Sequence, residues 1–137
     1  AASGRPGPVV ISLPEDMLVD TANVAVPDPI APQPVDVGKA SLQEFTALLR
    51  EARQPVVLLG GSGWTDQGCA DIARFCNVAH LPVCAAFRRH DLFDHRDNNY
   101  VGELGTGPNP RLLERLREAD MLIAVGARLD EITTQGY

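Results

Sequence analysis

Aromatic residues are scarce in this chain: one Trp, two Tyr and four Phe, 5% of 137 residues. The 45% apolar content must therefore build an aliphatic interior of Val, Leu, Ile and Ala, which favours the valine-rich parallel strands of an α/β domain. Runs of Lys or Arg are absent, the net charge is −6 and the pI is about 4.9, so no basic stripe exists to track nucleic acid. No apolar stretch approaches the ~18 residues that a membrane helix requires. The three cysteines, Cys69, Cys76 and Cys84, form no CxxC pair, and an odd count points to reduced thiols in a cytoplasmic protein, packed as small core residues. A Ser–His–Asp constellation cannot be assembled. His90, Asp91, Asp94 and His95 match neither a zinc helix nor a calcium loop, so a solvated loop is expected there rather than a metal site.

What is present reads as alternation. Residues 8–13 (PVVISL) have the composition of a short buried strand. Residues 19–40 carry Pro27, Pro29, Pro32 and Pro34, which fix φ and remove amide donors, as in a semi-rigid linker. Ser41-Leu42-Gln43-Glu44 has the form of a capping box, and Leu42, Phe45, Leu48, Leu49 and Ala52 follow at helical spacing up to Gln54-Pro55. Val56–Leu59 is an apolar strand. Residues 66–77 place Cys69, Ile72, Ala73 and Cys76 on one helical face. Residues 82–86 form a second strand, Tyr100-Val101 a short third, and Asn109-Pro110 opens a helix with Leu112, Leu113, Leu116 and Ala119 inward. Met121–Val125 is the last strand. The expected fold is α/β, a three-layer doubly wound, mainly parallel sheet, truncated at its C-terminus, because no helix closes it after Val125. The strand at the front and the abrupt end at Tyr137 give the expectation that the chain is part of a longer polypeptide.

Gly60-Gly61-Ser62-Gly63 lies between a strand and a helix, where amides at a helix N-terminus favour a phosphate. Gly61 and Gly63 fit the first two glycines of the dinucleotide fingerprint, but Asp66 stands at the third. The second strand ends in Phe87-Arg88-Arg89 rather than in an acid for the ribose. The turn is thus either a tight strand–helix connection or a nucleotide site of another type. Gly126-Ala127-Arg128 ends the last strand, and doubly wound sheets bring such ends together where strand order reverses. Arg128 there either holds a phosphate or pairs with Asp130 or Glu131 at the surface.

The order GRPGPVVISLPEDM, a proline-rich linker, PVVLLGGSG, LPVCAAF, LFDHRDNNYVGELGTG and ADMLIAVGARLDE resembles the middle of thiamine-diphosphate-dependent enzymes of the acetohydroxyacid synthase and 2-oxo acid decarboxylase type. The resemblance covers nearly the whole chain. It implies that residues 1–18 end a pyrimidine-binding domain, 19–40 are the linker, and 41–137 are most of a Rossmann-like central domain. It also implies a homo-oligomeric parent, dimer or tetramer, acting on a 2-oxo acid with thiamine diphosphate and Mg²⁺. In the family FAD, ADP or nothing sits in the central domain. The cofactor-contacting stretches correspond to Gly60, Gly61 and Gly63, to Leu104, Gly105 and Thr106, and to Gly126, Ala127, Arg128 and Asp130. Two positions depart from the synthase pattern: Leu104 replaces the histidine of G-M-H-G, and Ile132 stands where a second arginine follows R-F-D-D. The family's activating glutamate and its G-D-G metal motif match nothing in these residues. No catalytic residue and no metal ligand is therefore assigned, and these residues alone are expected to be inactive. The competing expectation is a stand-alone nucleotide-binding module without catalysis.

Overall fold

The computed structural model describes residues 7–29 and 36–136. The chain divides into two compact units, Ala1–Lys39 and Ala40–Tyr137. In the first unit, Gly4–Pro6, Pro32 and Pro34 lie outside the described residues. Residues 8–13 form no strand. Val9, Val10, Ile11 and Leu13 are exposed, and the regular element is a 3₁₀ helix at Glu15–Val19. A strand exists only through its partner's hydrogen bonds, and the described residues of this unit contain no second strand.

The second unit alternates helix and strand: α1 (Lys39–Glu51), β1 (Pro55–Leu59), α2 (Asp66–Ala79), β2 (Val83–Ala86), β3 (Tyr100–Leu104), α3 (Pro110–Arg117), β4 (Met121–Val125) and a short α4 (Glu131–Thr134). Helix α1 starts two residues before Ser41, which puts Ser41 inside the first turn and removes the expected capping box. Helix α3 starts as expected: Asn109 Oδ1 accepts from the Arg111 amide at 2.9 Å, and Pro110 occupies the first turn. β3 is longer than the expected Tyr100-Val101, because a register irregularity lets Gly102 pair with Cys84 after Tyr100 has paired with Val83.

All strand pairs are parallel, in the order β3-β2-β1-β4. β1 is central, and Val56, Val57, Leu58 and Leu59 are fully buried. Alternation along the strands supplies two apolar layers. Val57, Leu59, Val83 and Ile123 pack against Phe45 and Leu49 of α1 and Ile72, Ala73 and Cys76 of α2. Val56, Leu58, Cys84 and Leu104 pack against Leu112, Leu113 and Leu116 of α3. The architecture is a three-layer α/β/α doubly wound sheet. At the amino edge, Asp120 accepts from the Arg53 and Gln54 amides at 2.7 and 2.8 Å, and those two amides hold its carboxyl below the usual range. This clamp ties the start of β1 to the α3–β4 turn.

Candidate functional site at the carboxyl edge

The chain leaves β1 towards β2 and β3, then returns to place β4 on the other side of β1. The reversal lies between β1 and β4, and Leu59 and Val125 pair at its carboxyl end. Gly60 donates to the Val125 carbonyl at 3.0 Å. A Cβ on Gly60 would lie 2.9 Å from Ala127 and 3.0 Å from Ala86, so the ends of β4 and β2 flank it closely. Gly61 has φ +71°, and a Cβ there would run into the Gly126 carbonyl oxygen. Gly126 has φ +67°, and a Cβ there would lie 2.6 Å from the Gly60 carbonyl oxygen. These three glycines allow two turns to touch backbone to backbone. Gly63 differs: its φ is +84°, and the space where a Cβ would stand is open.

Trp64 closes the turn by donating Nε1–H to the Gly60 carbonyl at 2.8 Å. Thr65 caps α2 by accepting from the Gly68 amide at 3.0 Å. Among the described residues, the amides of Gly61, Ser62, Gly63 and Trp64 have no acceptor. They stand just before the N-terminus of a 14-residue helix, where the dipole adds a positive field. A groove of about 270 Å³ opens there, lined by Ser62, Gly63, Trp64, Thr65, Gly68, Val125 and Gly126. A second anion-favouring group follows β4: Arg128 is exposed, with no ion pair to Asp130 or Glu131 among the described residues. Asp130 instead caps α4, accepting from the Thr133 amide at 3.0 Å. That bond chiefly, with the charge of Arg128 behind it, lowers its carboxyl.

Leu104, Gly105 and Thr106 end β3, two strands from β1. Leu104 is buried in the α3-side core, so its side chain belongs to the interior rather than to the rim. The Gly105 carbonyl accepts from Gln135 Nε2 at 3.0 Å, which ties the segment after α4 back to the end of β3. Thr106 is exposed. The cited stretches therefore share one edge of the sheet, but Leu104 and Asp130 serve the fold there.

The loop between β2 and β3 is held by its own pairs. Arg89 grips Asp91 with two bonds of 3.0 Å, and Arg96 grips Asp94, whose carboxyl falls to about 2. His95 stacks on Tyr100, with ring centroids 4.3 Å apart. His90 Nε2 lies 2.9 Å from Glu103 Oε2, an ion-pair distance without hydrogen-bond alignment. No group of three or more His, Cys, Asp or Glu is arranged for a metal among the described residues. Burial pushes the Cys76 thiol up to about 11 and the Cys84 thiol up to about 12, so both stay protonated core groups.

Residues 42–137 match the family model described as "Thiamine pyrophosphate enzyme, central domain". The chain belongs to the thiamine pyrophosphate enzyme family. It is 31% identical over 98% of its length to the acetolactate synthase large subunit of Parasynechococcus marenigrum, covering 23% of that protein. It is likewise 31% identical over 98% of its length to the acetolactate synthase isozyme 3 large subunit of Escherichia coli, covering 24%. A sulfoacetaldehyde acetyltransferase of Alcaligenes xylosoxydans xylosoxydans is 26% identical over 97% of the chain and is covered for 22%. The chain thus spans about a quarter of the length of the curated relatives it matches. No helix among the described residues is long and apolar enough to cross a membrane.

Trp64 carries no motif and is not legible in the sequence as a rim residue, because it acts through a bond to a backbone carbonyl four residues back.

Proposed function

We propose that this chain is the central-domain part of a thiamine-diphosphate-dependent enzyme, cytoplasmic and homo-oligomeric, that acts on 2-oxo acids in an acetolactate synthase-like carboligation or decarboxylation. Residues 1–18 then end a pyrimidine-binding domain and 19–40 link the two. Thiamine diphosphate with Mg²⁺ supplies carbanion stabilisation beside the substrate carbonyl. Its ligands lie outside these 137 residues, which hold no activating carboxylate or metal motif for it. The contribution of residues 41–137 is a nucleotide site for ADP or the ADP half of FAD, with a structural rather than a redox role.

The observation that carries this reading is the set of unpartnered amides at Gly61–Trp64 beside the unpaired Arg128. Amides and a guanidinium are the donors that a diphosphate recruits. The residues at this end of the sheet fit a diphosphate. Leu104, turned into the core, offers nothing to a flavin ring. A charge-assisted contact contributes about 1.5–3 kcal/mol, so Arg128→Ala is expected to weaken ADP binding roughly 10- to 150-fold. Isothermal titration calorimetry with ADP and with FAD measures it. Unchanged affinity in the variant would move the site away from the β1–β4 reversal.

A further inference from the structure

The peptide between Gly60 and Gly61 joins two residues without side chains, just past the end of β1. A trans peptide points its C=O and N–H in opposite directions, so the Gly60 carbonyl and the Gly61 amide turn together. Reversing that plane changes ψ of Gly60 and φ of Gly61, and glycine accepts either setting at little cost. The turn's own sterics therefore do not choose an orientation. The choice falls to the Gly60 carbonyl. Among the described residues it accepts one hydrogen bond, from Trp64 Nε1–H at 2.8 Å. The donor is itself held. Trp64 packs against the layer that contains Val57, Leu59 and Ile123, and a Cβ on Gly68, in the first turn of α2, would lie 3.7 Å from its ring. On the other side, a Cβ on Gly126 would lie 3.6 Å from Nε1. The bond is partly buried, so a carbonyl that lost it would regain water only in part.

We propose that Trp64 is a positioning residue: it holds the Gly60–Gly61 peptide in a single orientation and so keeps the Gly61 amide a free donor in the turn. That amide is one of four without an acceptor, with those of Ser62, Gly63 and Trp64. With the plane reversed, a carbonyl oxygen stands where the amide hydrogen was, and an acceptor breaks the row of donors. The orientation belongs to the chain itself; its consequence for a diphosphate rests on the nucleotide reading above. An indole Nε1–H donates and cannot accept, so it can hold only the carbonyl side of the peptide. A ring with two torsions also loses little freedom on being fixed.

Trp64→Phe removes the donor and keeps an aromatic ring. In the whole chain, the nuclear Overhauser distances from the two Gly60 α-protons to the Gly61 amide follow ψ of Gly60. In the wild type they are expected to fit one orientation. In the variant they are expected to fit the reverse orientation or an average of the two, while the distance from Ser62 to the Gly63 amide stays as it was. ADP is expected to bind the variant about 2- to 10-fold more weakly. Unchanged Gly60–Gly61 distances, or equal ADP affinity of the two proteins, would overturn the proposal and leave the nucleotide site standing. A wild type that binds no ADP would overturn the nucleotide reading and leave the peptide distances to decide the role of Trp64. The wild type supplies a second measurement that needs no variant. Trp64 is the one Trp of the chain, so its indole N–H gives a single resonance. That proton is expected to exchange with solvent roughly tenfold more slowly than in free tryptophan, or slower still. Exchange at the free rate would mean that the bond to Gly60 is not made, and would equally overturn the proposal.

Discussion

Gly61→Ala is expected to destabilise the domain by about 3 kcal/mol or more, a large share of the 5–15 kcal/mol that holds a domain together. Two costs coincide at this position. The φ of +71° disfavours any side chain, at about 1–2 kcal/mol. The added methyl would also run into the Gly126 carbonyl oxygen, and neither turn can retreat. Gly60 is already hydrogen-bonded to Val125, and Gly126 is closed by the Gly60 carbonyl. Gly63→Ala provides the control: it carries the same conformational cost at φ +84° but meets open space, so a loss of only about 1–2 kcal/mol is expected. Urea denaturation of the two variants and the wild type measures the difference. Equal losses would mean that the β1 and β4 turns are not in contact, and that the rim described above is wrong.

Leu59→Ala is expected to cost about 2–5 kcal/mol. Leu59 is fully buried on β1, pairs with Ala85 on one side and Val125 on the other, and belongs to the layer covered by α1 and α2. Three hydrogen-bonded strands cannot close around the space its side chain leaves, so the cavity term adds to the transfer term. A shift in the chemical denaturation midpoint at constant slope is the expected signature. Leu42→Ala, on the exposed side of α1, is expected to stay within about 0.5 kcal/mol of the wild type. A small effect at Leu59 would contradict the central place of β1.

The inner strands of the sheet were legible because β1 and β2 are buried on both faces and therefore appear as uninterrupted apolar runs; β4 carries the same kind of run on an edge, where Leu122 and Ala124 are exposed. The faces of α2 and α3 were legible from spacing alone: Cys69, Ile72, Ala73 and Cys76 pack on one layer, Leu112, Leu113 and Leu116 on the other. Three features were not legible. Residues 8–13 have strand composition, but composition supplies no partner, and the described residues around them pair with nothing. The far half of β3 was hidden because Gly102 and Glu103 break the apolar pattern on an edge strand, where one side faces water. α4 is only four residues long and is capped by Asp130, a residue whose place after Arg128 suggests a ligand contact rather than a helix start. At the candidate site, the glycines were visible as glycines, but their division of labour was not. Gly60, Gly61 and Gly126 permit contact between two turns, and only Gly63 borders open space. That distinction is tertiary, since it depends on which backbone arrives opposite each residue.

The most direct test is a ¹H–¹⁵N correlation titration of the chain with ADP. A nucleotide site at the β1–β4 reversal predicts saturable shifts of the Gly61, Ser62, Gly63 and Trp64 amides, together with Gly126 and Arg128, and little change at the Asp120 clamp on the opposite edge. Shifts confined to the apolar cleft of about 380 Å³ bordered by Leu113, Leu116, Leu122 and Leu129, or no shift at millimolar ADP, would contradict it and leave the glycines as a packing device alone.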